Sequence, residues 1–172
     1  MAEDLVKQSV LDRITGADLV VKGGGGRGRP ARSWAESVDV LERNVLRNLE
    51  QLLNTRQVSE PAGPPHDHLE RSLYNYGLLD FSNLSADSAW TPEEVRRLIK
   101  EAIELFEPRL TDVDVVDPEE GGAKGKGRKL GRRVRFRIEA TLRTDPDPER
   151  VEFDTVLDVA SKRFEVSSDS HA

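Results

Sequence analysis

The sequence predicts an α+β fold in which N-terminal helices pack on a C-terminal antiparallel β-meander of about four strands. Before residue 107, apolar residues recur three and four positions apart, which is the period of an amphipathic helix. In the C-terminal third the period becomes two, which is typical of half-buried strands. Because helices come first and strands follow, we expect no βαβ units.

The length of 172 residues fits one domain with additional loops. We expect residues 1–32 to hold a short helical turn at 9–14 and a flexible linker rich in Gly and Arg. Residues 33–167 are predicted to form the single domain, which includes a basic loop at 118–133. Residues 168–172 are predicted to be a disordered tail.

The first long helix is predicted from about Ser37 to Asn54, with Ser37 as its N-cap. Its apolar stripe consists of Val38, Leu41, Val45, Leu49, Leu52 and Leu53. Residues 67–80 are predicted to form a short helix that ends with Gly77 at the C′ position. Trp34 and Trp90 precede helices and are expected to pack against the helix starts.

The second long helix has strong start and stop signals. Thr91 is the predicted N-cap, Pro92 occupies the first helical position, and Glu94 completes a capping box. One buried face is predicted from Val95, Leu98, Ile99, Ala102, Ile103 and Phe106. Pro108 restricts Glu107 to extended geometry, so the helix should end there.

The strands follow directly. Leu110–Val116 is the first predicted strand, and the alternation between 134 and 143 gives the second. The acidic, proline-containing segment 145–149 makes the turn to the third strand, which is expected at 151–159. A tight turn at 161–162 precedes a short last strand.

The corner between helix and sheet is the candidate partner-binding site, formed by Glu107, Pro108, Arg109 and Leu110. A rigid turn here would project a carboxylate and a guanidinium towards another protein, where charge-assisted hydrogen bonds are strong. The alternative is that Glu107 and Arg109 pair with each other, or with the helix end, within the chain.

Charge is unevenly distributed, although the net charge is -6. Residues 22–32 and 121–137 contain basic residues and no acidic ones. In the basic loop, candidates for contact with a partner or an anion are Lys124, Lys126, Arg128, Lys129, Arg132 and Arg133. The segment 27–30, Arg-Gly-Arg-Pro, matches the core of an AT-hook, so nucleic-acid binding is the alternative function. The acidic total and the lack of aromatic residues in the loop argue against a nucleic-acid partner.

Several classes of function find no support. The chain has no cysteine, and His66 and His68 have no fixed third ligand, so we expect no metal and no cofactor. No apolar run approaches the length of roughly 20 residues that a membrane span needs, so membrane insertion is not expected. Residues 1–4 do not begin an export signal, which favours a cytoplasmic protein.

Five sequence motifs, taken together, resemble a known family. They are residues 9–14 (Ser-Val-Leu-Asp-Arg-Ile), 52–56 (Leu-Leu-Asn-Thr-Arg), Tyr76-Gly77 with 80–82, 106–110 (Phe-Glu-Pro-Arg-Leu), and 153–158 (Phe-Asp-Thr-Val-Leu-Asp). In order and spacing, these motifs resemble the baseplate wedge subunits of the bacterial type VI secretion system, which are related to phage-tail baseplate proteins once labelled lysozyme-like. The insertion at 22–32 and the basic loop depart from the family pattern.

The resemblance implies a structural baseplate component of a contractile type VI secretion apparatus. It implies other wedge subunits and the contractile sheath subunit as partners, on the cytoplasmic side of the inner membrane. Open sheet edges would accept a strand and serve as a platform for sheath assembly. The resemblance also makes the Glu-Pro-Arg corner the hallmark of the family.

The old lysozyme-like label raises the hypothesis of a glycosidase, which needs two carboxylates flanking a cleft. Glu107 with Asp112 or Asp114 could supply such a pair. However, the chain has only two tryptophans and two tyrosines that could stack on sugar rings, and residues 1–4 do not begin an export signal. We therefore expect no enzymatic activity.

Overall fold

The computed structural model describes residues 33–58, 69, 72–79, 91–118, 133–145 and 147–168. Its helices are α1 (Trp34–Asn54), a 3₁₀ helix (Leu73–Asn75) and α2 (Pro92–Phe106). Its strands are β1 (Leu110–Val116), β2 (Arg133–Leu142), β3 (Glu149–Asp158) and β4 (Arg163–Ser168). The strands form one antiparallel sheet in the order β1-β2-β3-β4, so the predicted α+β meander is confirmed.

Helix α1 begins earlier than predicted. Its N-cap is Ser33, whose Oγ accepts a hydrogen bond from the Glu36 amide at 3.3 Å. Ser37 is inside the helix and buried, and its hydroxyl donates to the Trp34 carbonyl at 2.6 Å. Trp34 is therefore the first helical residue and packs partly buried against the core, rather than preceding the helix. The sequence contains this signal, because Ser33 and Glu36 have the spacing of a capping box.

Helix α2 agrees with its prediction at both ends. Thr91 accepts from the Glu94 amide, and Glu94 Oε2 accepts from the Thr91 amide at 2.8 Å, which completes the capping box. The helix ends at Phe106 with Glu107 as C-cap. Its core-facing residues include Val95, Ile99, Ala102 and Ile103, which are buried.

The predicted short helix at 67–80 is a 3₁₀ helix over Leu73–Asn75 within the described part of that range. Gly77 follows the C-cap Tyr76 and has φ +113°, so its predicted C′ role is confirmed. An added Cβ at Gly77 would lie 2.4 Å from the Thr55 carbonyl oxygen. Only glycine therefore allows this segment to pass so close to the end of α1.

Strand β1 contains a bulge that the sequence analysis did not include. Thr111 pairs with Thr141 and Asp114 with Glu139, so two residues of β1 lie opposite one residue of β2. Asp112, with φ 52°, takes up the extra length. Because of the bulge, Leu110 and Val113 both face the core although they are three residues apart. An odd spacing of buried residues within a strand is the sequence signal of such a bulge.

The core lies between the helices and one face of the sheet. Among its fully buried side chains are Val45, Leu49, Ile99, Ile103, Phe136, Ile138, Phe153 and Leu157. The other face of the sheet is polar and carries cross-strand ion pairs. Arg137 Nε lies 2.9 Å from Asp154 Oδ1, and Arg150 Nη2 lies 2.6 Å from Glu139 Oε2. The alternation that predicted half-buried strands is thus confirmed.

Asn54, the last residue of α1, connects that helix to the edge strand β4. Its Oδ1 accepts from the Phe164 amide, and its Nδ2 donates to the Phe164 carbonyl, both at 2.9 Å. The same Nδ2 donates to the Glu50 carbonyl at 2.8 Å. The Asn54 carboxamide therefore makes the two hydrogen bonds to Phe164 that a residue of a neighbouring strand would make.

Residues at the ends of the strands also differ from their predicted places, and several predictions concern residues outside the described part of the chain. Arg133, expected in the basic loop, is the first residue of β2, and Ser168, expected in the tail, is the last residue of β4. The predicted turn at 9–14, the linker to residue 32, Trp90, and residues 169–172 lie outside the described residues. Among the residues that are described, no helix is long and apolar enough to cross a membrane.

We predict that Asn54→Ala lowers the free energy of unfolding by about 1–3 kcal/mol, because it leaves the partly buried Phe164 backbone groups without these partners. Asn54→Asp should cost at least as much, since it keeps the acceptor for the Phe164 amide but places a carboxylate oxygen against the Phe164 and Glu50 carbonyl oxygens. Urea denaturation of both variants measures the difference. Equal stability of Asn54→Ala and wild type would contradict this role.

Candidate partner-binding corner

The corner between α2 and β1 is a hydrogen-bonded turn. The Leu110 amide donates to the Glu107 carbonyl at 3.1 Å, with Pro108 and Arg109 between them. Proline at the second position of a turn is favoured because its ring presets φ. The Arg109 carbonyl accepts from the Arg143 amide at 2.8 Å, so the turn is also fixed to the end of β2.

A bidentate ion pair occupies the inside of this turn. Arg109 Nε lies 2.6 Å from Glu107 Oε1, and Arg109 Nη2 lies 2.6 Å from Glu107 Oε2. Glu107 is 4% exposed. The expectation that both charges project outward is therefore wrong for Glu107, and the intramolecular pair is present instead. A buried carboxylate needs such a partner, because desolvation without one is costly.

The outer surface of the corner is formed by the other side chains. Pro108 is exposed, while the Arg109 side chain retains 23% exposure and Leu110 is buried. Leu105, one turn earlier on α2, is 38% exposed. A partner that contacts this corner would thus meet a proline ring, an aliphatic side chain and the exposed part of the Arg109 side chain.

Tyr76 lies against the same corner. Its ring packs edge-to-face on Phe106 with centroids 5.2 Å apart. Burial and then the nearby charge of Glu107 raise the pKa of the Tyr76 hydroxyl above its ordinary value. The segment that carries Tyr76 continues into Leu78, whose amide donates to the Thr55 carbonyl at 2.9 Å. The end of α1 is thereby linked to the corner.

The predicted contacts in the basic loop fall into two groups. Arg133 lies in β2, with its Nε 3.5 Å from Asp158 Oδ2, so it forms part of the charged face of the sheet. Lys124, Lys126, Arg128, Lys129 and Arg132 lie outside the described residues, as do the Arg-Gly-Arg-Pro segment at 27–30 and the two histidines at 66 and 68. Within the part of the chain that is described, no group of three or more His, Cys, Asp or Glu residues could hold a metal ion.

Residues 39–147 match the family described as baseplate wedge protein gp25. The chain belongs to this family. The match spans more than half of the 172 residues and includes the corner. The resemblance found in the sequence is confirmed at the level of the baseplate wedge family, and this wedge protein is accordingly a structural baseplate component.

Among solved structures, the wedge protein is similar to a chain of "The baseplate complex from the type VI secretion system". The two chains share 18% sequence identity with a TM-score of 0.42, over 69% of this chain and 94% of the other. No curated protein matches the wedge protein.

Sequence reasoning gave no role in the corner to Tyr76. The resemblance drew attention to Tyr76-Gly77 and to 106–110 as separate motifs, and the structure brings the two together. Helical periodicity could not have shown this contact, because the contact joins two elements that are about thirty residues apart in the sequence and meet only through tertiary packing.

We predict that Arg109→Met lowers the free energy of unfolding by about 3 kcal/mol, because it leaves the Glu107 carboxylate buried without its partner. The double variant Glu107→Leu, Arg109→Met should recover most of this loss, since an apolar pair replaces the ionic one. Urea denaturation of the single and double variants measures both effects. Additive losses in the double variant would contradict the pairing.

We predict that the stability of the wedge protein falls at alkaline pH through Tyr76. The folded pKa is raised above the value of 10.0, so the contribution is complete below the unfolded pKa and is lost as the pH rises through the folded one. Tyr76→Phe should lose less stability than wild type as the pH rises through the folded pKa of Tyr76. Urea midpoints across the alkaline range test this, with Tyr74→Phe as the matched control.

Proposed function

We propose that this wedge protein is a subunit of a type VI secretion baseplate. In this proposal it docks among the other wedge subunits through the exposed surface of the corner formed by Glu107, Pro108, Arg109 and Leu110, where Pro108 and Arg109 meet the partner and the buried Glu107 and Leu110 hold them in place, and it provides a platform for assembly of the contractile sheath. Its location is then cytoplasmic, where the baseplate meets the inner membrane. It acts by binding other proteins and catalyses no reaction.

The observation that carries the docking proposal is the rigid corner with a partly exposed Arg109. The ion pair with Glu107 fixes the direction of the guanidinium group, and the turn fixes its backbone. A preorganised side chain loses little conformational entropy when a partner binds it. The exposed Pro108 beside it adds a rigid apolar contact. Arginine flanked by apolar surface is typical of the residues that dominate binding at interfaces.

The platform role is supported by the architecture of the sheet. β1 and β4 are the outer strands of the described sheet, and outer strands have backbone groups that can pair with another chain. We also propose that the basic loop steers docking towards an acidic face of a partner. Such steering changes the association rate more than the final affinity.

Docking is tested with the double variant Glu107→Leu, Arg109→Met, because that variant separates partner binding from folding. If the corner docks, the variant should fold but lose co-purification with the co-expressed wedge subunits. A loss of at least about tenfold in recovered complex is expected, comparable to truncation of a central interface residue. Circular dichroism and urea denaturation verify the fold.

The matched control is Arg97→Met, which removes an arginine from α2 with a 68% exposed side chain. This variant should co-purify as wild type does, since a solvated ion pair contributes little. If the double variant enters the complex normally, the corner serves stability alone and the docking proposal is wrong.

A further inference from the structure

Three arginine side chains lie together on the polar face of the sheet, opposite the core. In the register of the sheet, Arg133 of β2 and Arg163 of β4 lie on either side of Asp158 in β3. Arg135 is two residues further along β2, so it projects from the same face. At the usual strand spacing, the Cα atoms of Arg133 and Arg163 are roughly 10 Å apart, and those of Arg133 and Arg135 about 7 Å. We call these three arginines the basic end of the sheet.

The carboxylate between the arginines neutralises them only in part. Arg133 Nε lies 3.5 Å from Asp158 Oδ2. The other oxygen of this carboxylate accepts from the Ser161 amide at 3.0 Å and from the Ala160 amide at 2.9 Å, in the turn between β3 and β4. The hydrogen bond from the Ser161 amide is the main reason that the pKa of Asp158 is lower than its ordinary value, and Arg133 contributes least. Asp158 is therefore held mainly by the turn.

Arg135 and Arg163 are the open positions of the basic end. Both side chains are exposed, and within the described part of the chain neither forms an ion pair. The half-buried Val156 lies beside Arg135 in the register, and Glu165 lies beyond Val156 on β4. The basic end thus surrounds a small apolar surface, and its three arginines outnumber the two carboxylates of this area.

Charge is separated along the polar face of the sheet. Residues 121–132, which lead into the basic end, contain no acidic residue and five basic ones, namely Lys124, Lys126, Arg128, Lys129 and Arg132. Towards the other end of the same face, Asp114 pairs in register with Glu139, and Glu139 pairs with Glu152. A face with positive charge at one end and negative charge at the other favours one orientation of a charged partner.

We propose that the basic end binds an acidic segment of a protein partner, in which an apolar residue is flanked by Asp or Glu. The carboxylates would pair with Arg135 and Arg163 through charge-assisted hydrogen bonds, and the apolar side chain would cover Val156. This binding site extends the steering role proposed for the basic loop. Steering brings an acidic partner to this end of the sheet, and the arginines then hold it.

The surroundings of the arginines favour a protein segment over a nucleic acid or a lipid surface. A continuous row of phosphates would meet Asp158 and Glu165 as well as the arginines. On the polar face of β2, β3 and β4, the described residues include no aromatic side chain that could stack on a base. Val156 offers an apolar contact, which a peptide side chain can use and a phosphate group cannot.

Fluorescence anisotropy with a labelled synthetic peptide tests the site. The probe is a short peptide with a central Leu between pairs of Glu, and with Gly and Ser elsewhere. The double variant Arg135→Gln, Arg163→Gln should bind this peptide at least about fivefold more weakly than wild type, because two ionic contacts are lost. Circular dichroism should show an unchanged fold, since neither arginine forms an ion pair within the described residues.

The matched control is the double variant Arg43→Gln, Arg97→Gln. It changes the net charge by the same amount at exposed positions of α1 and α2, so it should bind the peptide as wild type does. An equal loss in the two double variants would show a general effect of net charge and would overturn the site. Tighter binding of duplex DNA or of phosphatidylglycerol vesicles than of the peptide, lost in Arg135→Gln, Arg163→Gln, would overturn the choice of partner.

Binding kinetics separate the site from the proposed steering. The variant Lys124→Gln, Lys126→Gln, Lys129→Gln should slow association of the peptide at low salt, whereas Arg135→Gln, Arg163→Gln should mainly speed its dissociation. If only the lysine variant has an effect, steering is correct and the site is wrong. If only the arginine variant has an effect, the site is correct and steering is wrong. The peptide binds the isolated chain, so a failure of the corner to dock wedge subunits leaves this result unaffected.

Discussion

The paired charges of Glu107 and Arg109 are the constraint on which the connection between helices and sheet depends. Glu107 ends α2 as its C-cap, and β1 begins three residues later. The chain changes direction within this short segment. The buried Glu107 carboxylate therefore lies at the helix end, where the last backbone carbonyls have no partners within the helix. Arg109 neutralises that carboxylate with two short hydrogen bonds and adds positive charge near the negative end of the helix dipole.

The family motifs form a second connection between the same parts of the molecule. Asn54 bonds to β4, and Thr55 accepts from the Leu78 amide. Gly77 makes that close approach possible, and Tyr76 beside it packs on Phe106. Motifs that are distant in sequence therefore fix the end of α1, the 3₁₀ segment and the corner relative to one another. The motifs therefore serve to position these elements, which agrees with a structural protein.

Local physics explains how much could be predicted from the sequence. The α2 boundaries follow from Thr91 and Pro108, whose effects on the backbone act within a few residues. The strands follow from the alternation of apolar and polar residues. The bulge at Asp112 is harder to predict, because its signal is that the apolar residues Leu110 and Val113 are three positions apart instead of two or four. The burial of Glu107 could not be predicted from spacing, because residues two apart can pair or diverge. That outcome depends on the tertiary surroundings, which include Arg143 and Tyr76.

The proposed docking corner and the outer strand β4 lie on opposite sides of one sheet. The corner leads directly into β1, and β4 is three strands away, a distance of roughly 14 Å at the usual strand spacing. At the β1 edge, the Leu110 amide bonds to the Glu107 carbonyl within the turn, and the Val115 amide bonds to Asp114 Oδ1. These two amides are therefore already occupied by the chain itself. A wedge neighbour bound at the corner would therefore leave β4 accessible. Under the proposed function, one sheet would in this way connect a docked wedge subunit to a growing sheath.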